Sequence, residues 1–93
     1  MRKTIYKYKL KLDDKQFINL PLDAEILSVQ CQNDDICLWA LIDPSVKEKV
    51  EHNFEIFGTG ELISYDMGTE RKFIGTIQIN NGSLVFHVFE RLN

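Results

Sequence analysis

The residues of this chain with chemistry to offer are few. It has two histidines, His52 and His87, two cysteines, Cys31 and Cys37, and a glycine-flanked turn at Gly58-Thr59-Gly60. Successive N–H groups in such a turn form a concavity that holds a phosphate or carboxylate. Arg71 and Lys72 lie in the same half of the chain and would add charge-assisted hydrogen bonds. The spacing lacks the lysine and following helix of a P-loop and the pattern of a dinucleotide fingerprint, and a plain tight turn is the commoner use of such glycines. Trp39 or Tyr65 would supply an aromatic wall for a base or ring, although a tryptophan within an apolar run defaults to core packing.

Catalysis finds less support. His87 would serve as a general base only with a nucleophile in a recognisable setting, and no serine or cysteine has one. A packed or interfacial histidine is the plainer reading. The acidic pairs Asp13-Asp14 and Asp34-Asp35 read as solvated turns rather than a glycosidase pair. A zinc site needs four ligands, and two cysteines and two unpaired histidines lack the spacing. The reading is therefore no catalytic residue, no metal and no cofactor. The cysteines flank a turn and are expected as reduced thiols, since no secretory leader precedes them.

Composition narrows the partners. The 93 residues are 44% apolar and 27% charged, which suits one small folded domain over 1–93. A net charge of −3 argues against DNA or RNA as partner, because nucleic-acid binders carry a basic face. No apolar stretch approaches a membrane span. A domain this small is marginally stable alone, which keeps self-association in view.

These side chains must be positioned by strands. Residues 4–12 alternate, with Tyr6, Tyr8, Leu10 and Leu12 on one face and Lys7, Lys9 and Lys11 on the other. The lysine stripe offers an anion surface, but solvated protection of a strand edge explains it better. Residues 16–20 form a second strand stopped by Pro21, and 25–32 a third. Asn33-Asp34-Asp35 makes a turn. Residues 36–42 are apolar throughout, as in a central strand covered on both sides. Asp43-Pro44 has the form of a helix start, for two turns at most. A fifth strand lies near 54–57, and 64–71 is the longest loop.

The clearest local signal is Asn81-Gly82, the preferred pair of a type I′ hairpin turn. It sets Ile79 opposite Leu84, Ile77 opposite Phe86, Thr76 opposite His87 and Gly75 opposite Val88. Phe73, Ile77, Ile79, Leu84, Phe86 and Val88 then face the core. The other face, with Ile74, Thr76, Gln78, Val85, His87 and Phe89, is too apolar for plain solvent and too polar for a routine core. Such a face meets a second layer of the same domain or another subunit, and Ile74, Val85, His87 and Phe89 are expected at the subunit interface. The fold expected is mostly β: a compact antiparallel β-sandwich or small barrel of about seven short strands with at most one short helix.

The strings Ile5-Tyr6-Lys7-Tyr8, Ile26-Leu27-Ser28-Val29-Gln30, Cys37-Leu38-Trp39-Ala40-Leu41-Ile42-Asp43-Pro44, Ile56-Phe57-Gly58-Thr59-Gly60, Ile74-Gly75-Thr76 and Leu84-Val85-Phe86-His87-Val88-Phe89-Glu90 resemble, in that order, a family of small tailed-phage and prophage proteins. The likeness runs nearly end to end, with residues 45–53 and 61–71 its own. It implies a phage-encoded protein in the cytoplasm of the bacterial host, and carries over no catalytic residue. The function expected is a homo-oligomer that sequesters a nucleotide-type immune signal to counter host defence, with Gly58, Thr59, Gly60, Arg71, Lys72, Trp39, Tyr65 and His87 as its ligand-binding residues. The alternative is a protein–protein module that inhibits a host protein or joins the virion.

Overall fold

A computed structural model describes residues 2–64 and 68–92. Among them are seven strands and no helix: β1 (Thr4–Leu10), β2 (Lys15–Pro21), β3 (Glu25–Gln32), β4 (Asp35–Ile42), β5 (Lys49–Gly58), β6 (Arg71–Ile79) and β7 (Leu84–Arg91). They form two antiparallel sheets, one ordered β1-β4-β3 and the other β2-β5-β7-β6. Neither closes into a barrel. Among the described residues no helix is long and apolar enough to cross a membrane.

Period-two patterning builds the core between the sheets. Ile36, Leu38, Ala40 and Ile42 of the central strand β4 point inward, opposite Leu20, Phe54, Ile56, Ile77 and Val88 of the larger sheet, and all are buried. The sheets approach most closely where β3 crosses β6. There Gly75 leaves room for Val29, whose Cγ1 would lie 2.8 Å from a β-carbon at position 75.

Turns follow side-chain chemistry. Asn33 and Asp34 adopt positive φ between β3 and β4, and so do Asn80, Asn81 and Gly82 between β6 and β7. The second turn is closed by the Ser83 N–H donating to the Asn80 carbonyl at 3.1 Å. The expected pairing of Ile79 with Leu84, Ile77 with Phe86, Thr76 with His87 and Gly75 with Val88 is present. Gln16 clamps the β1–β2 turn, donating to the Lys11 carbonyl (2.6 Å) and accepting from its N–H (2.8 Å).

The expected helix at Asp43-Pro44 does not form. The Asp43 carboxylate instead accepts from the Ser45 N–H (3.0 Å) and hydroxyl (2.6 Å), giving a closed turn. Those two bonds hold the Asp43 carboxyl below its ordinary value. A second departure is a bulge between Phe73 and Gly75. The extra residue reverses the alternation below it. Phe73 is thereby turned to the outer face and is 54% exposed, while Ile74 packs against the core. Leu84, also expected in the core, is exposed at the hairpin end.

The cysteines do not face one another. Cys31 pairs with Ile36 and Cys37 with Gln30, so the two thiols point to opposite faces of the sheet. Both are free.

Candidate functional site

The outer face of the four-stranded sheet carries the densest chemistry. Register places Phe17, Asn53, Arg91 and Arg71 in one row across β2, β5, β7 and β6, and Lys15, Glu55, Phe89 and Phe73 in the next. Glu55 is almost wholly buried although it faces outward. A buried carboxylate needs a partner, and Arg71 supplies one by reaching across β7, with its Nε 2.7 Å from the Glu55 Oε1. The guanidinium also lies 5.9 Å from the centre of the Phe57 ring. Phe57, Phe89 and Phe73 make an edge-to-face ladder, with centroids 5.8 and 5.3 Å apart.

A groove of about 440 Å³ opens beside this pair, lined by Lys15, Gln16, Phe17, Asn53, Phe54, Glu55 and Arg91. Glu55 is paired with Arg71, and Lys15, Asn53 and Arg91 line the same volume beside the exposed Phe17 ring. Donors converging beside an apolar plate suit an anion attached to a flat or apolar body. A smaller cavity of about 250 Å³ shares Lys15, Glu55 and Arg91, and adds Asp14 and Glu61 as well as Arg71. Acidic and basic groups balance there, whereas the larger groove has Lys15 and Arg91 against the single carboxylate of Glu55.

The residues expected to bind ligand divide. Arg71 stands at the centre of the site as the group that neutralises Glu55. Lys72 points the other way, opposite Glu90. In the Gly58-Thr59-Gly60 turn the first two N–H groups are already engaged. The Gly58 N–H donates to the Glu61 carboxylate (2.9 Å), the Thr59 N–H to the Val85 carbonyl, and the Glu61 N–H to the Gly58 carbonyl. Trp39 sits on the outer face of the other sheet, under Lys7. Tyr65 lies outside the described residues. His87 is held by two hydroxyls, Thr59 Oγ1 at 2.7 Å from Nε2 and Thr76 Oγ1 at 2.9 Å from Nδ1. Of the expected interface, Val85, His87 and Phe89 do share this outer face, and Ile74 does not.

Several residues of the site had no distinct signal in the sequence. Glu55 sits in an apolar strand end, Lys15 and Phe17 in a short strand beside a turn, and Arg91 near the last residue. A carboxylate at an apolar position (Phe54-Glu55-Ile56-Phe57) was the one available clue, since such a group must find a cation. His52, which lacks the spacing of a metal ligand, has an acidic partner instead. Its Nδ1 is 2.7 Å from the Glu90 Oε2 on the core side of the same sheet, both half-buried.

The whole chain, residues 1–93, matches the model of a family described as a domain of unknown function, DUF7352, and the chain belongs to that family. No curated protein and no solved structure matches it.

Proposed function

For this DUF7352 member we propose a non-catalytic binding protein that captures a small anionic, nucleotide-type ligand in the groove between Lys15, Phe17, Asn53 and Arg91. The observation that supports this most is the buried Glu55–Arg71 pair on an outward face. Charges withdrawn from water on an open sheet are costly, and a hydrophobic pair of similar size would often serve stability as well. Here the pair fixes the floor of a groove whose rim is cationic and aromatic. A phosphate would meet Lys15 and Arg91, and a base would stack on Phe17.

Binding would proceed by affinity alone. The His87 ring is engaged by two threonine hydroxyls, and the partner of His52 is a carboxylate rather than a nucleophile. With the sequence likeness to phage and prophage proteins, this supports a homo-oligomer made by a phage in the cytoplasm of its bacterial host, where it sequesters a nucleotide signal of antiviral defence.

The test is a thermal-shift panel of cyclic dinucleotides, ADP-ribose derivatives and ordinary nucleotides. A ligand at a hundred times its Kd stabilises the fold by about 2.7 kcal/mol, several degrees for a domain of this size. The expected result is a selective shift, lost in Lys15→Ala, with the ligand recovered unchanged. No shift across the panel would overturn the proposal. It would favour the second reading, a protein-binding module, for which Phe73 and Leu62 (96% exposed) offer apolar contact at the rim of the same face.

A further inference from the structure

The four edges of the two sheets are not equally defended. The β1 edge carries Lys7 and Lys9, β3 is broken by a bulge between Ile26 and Ser28, and β6 by the bulge between Phe73 and Gly75. Lysines and bulges both discourage strand addition. By contrast, β2 keeps unbroken register from Lys15 to Pro21, with a charge only at its first residue. The Asp14 carbonyl accepts the Ile56 N–H, so even-numbered residues of β2 bond to β5. The backbone groups of Lys15, Phe17 and Asn19 therefore point away from the sheet. An open groove of about 400 Å³ runs along that edge, lined by Lys9, Lys11, Asp13 and Lys15 together with Gln16, Phe17 and Ile18.

We infer that this edge pairs with the same edge of a second copy, antiparallel about a two-fold axis at Phe17, joining two four-stranded sheets into one. Self-pairing is chemically consistent. Phe17 meets Phe17 of the partner subunit, and Lys15 meets Asn19 of the partner subunit, so no like charges stand opposite. Pro21, which has no N–H to offer, ends the ladder at the right place.

The pairing also completes the anion groove, a consequence that rests on the proposed function. Phe17 and Lys15 form its outer wall, and the partner's Phe17 and the partner's Asn19 would close it from the side now open. The dimer thereby places two such grooves side by side about the axis.

The experiment uses the full chain. Native mass and sedimentation should give a dimer of twice 10.9 kDa at micromolar concentration. Asn19→Pro removes one outward N–H without touching the β5 ladder, and should give a monomer with unchanged circular dichroism. Phe17→Cys puts two thiols at a narrow antiparallel pair, about 5.5 Å between Cα atoms, within disulfide reach. It should give a covalent dimer on mild oxidation, whereas Ile18→Cys, facing the core, should not. A monomeric wild type, a dimeric Asn19→Pro, or no cross-link at Cys-substituted position 17 would each overturn the inference, the last even if Asn19→Pro fails to fold. A dimer that ignores every nucleotide would sink the ligand reading alone, and a nucleotide shift on a monomer would sink the edge pairing alone.

Discussion

The outer faces of the two sheets share a motif and differ in its setting. On the smaller sheet, Lys7 lies 5.8 Å from the centre of the Trp39 ring, donates to the Gln32 side chain at 2.9 Å, and has a neighbour, Lys9, paired with Asp35. On the larger sheet, Arg71 lies 5.9 Å from the centre of the Phe57 ring and is paired with Glu55. The cation–ring distances are nearly equal. What separates the two is water: the Lys9–Asp35 side chains are 68% and 49% exposed, and those of Arg71 and Glu55 are 14% and 4% exposed. A wet pair is screened and contributes little, while a dry one must be kept whole. An aromatic beside a cation is therefore no mark of a site until burial is known.

The comparison breaks most visibly at Arg71. Arg71→Ala leaves the Glu55 charge buried without its partner and should cost about 3–5 kcal/mol in denaturant unfolding. The double change Glu55→Leu, Arg71→Met should recover most of that loss, within about 1.5 kcal/mol of wild type, because the dry pair is replaced by packing. Lys15→Ala removes an exposed charge at the groove rim. It should change stability by less than about 0.5 kcal/mol while weakening a bound anion roughly tenfold or more, as expected for a charge-assisted bond. The smallest effects belong to the other sheet. Lys7→Ala and Lys9→Ala should each cost under about 1 kcal/mol, and less in high salt. A large loss at Lys9 would mean that a wet ion pair can matter as much as a dry one.

Much of the fold was legible because its signals are local. Asn81-Gly82 requires positive φ, so it fixes the turn and with it the register of β6 and β7 up to Gly75. Alternation along β1 and β2 and the apolar run of β4 assign strands for the same reason, since a residue's face depends only on its neighbours. The bulge after Phe73 marks where that logic stops. One inserted residue exchanged the faces of Phe73 and Ile74, and nothing in their identities announces it. The cysteines show a similar limit. A turn between them is readable, but pairing of Cys37 with Gln30 rather than Cys31 depends on where the turn closes.

The lysine stripe on β1 and the Gly58-Thr59-Gly60 turn drew attention because they are contiguous in sequence. The first lies on an edge strand, and the second spends its first two N–H groups on Glu61 and Val85.

By itself, then, the sequence determined the strand content, the order of turns, the all-β class and the hairpin register, all consequences of backbone preference and period-two burial within a few residues. Only the tertiary structure decided which charges are dry, which edge lies open, and that Lys15, Glu55, Arg71 and Arg91 meet on one face. Those residues come from four strands spread over most of the chain. A pairwise electrostatic or edge contact depends on distance and dielectric in space, and neither is encoded in sequence separation.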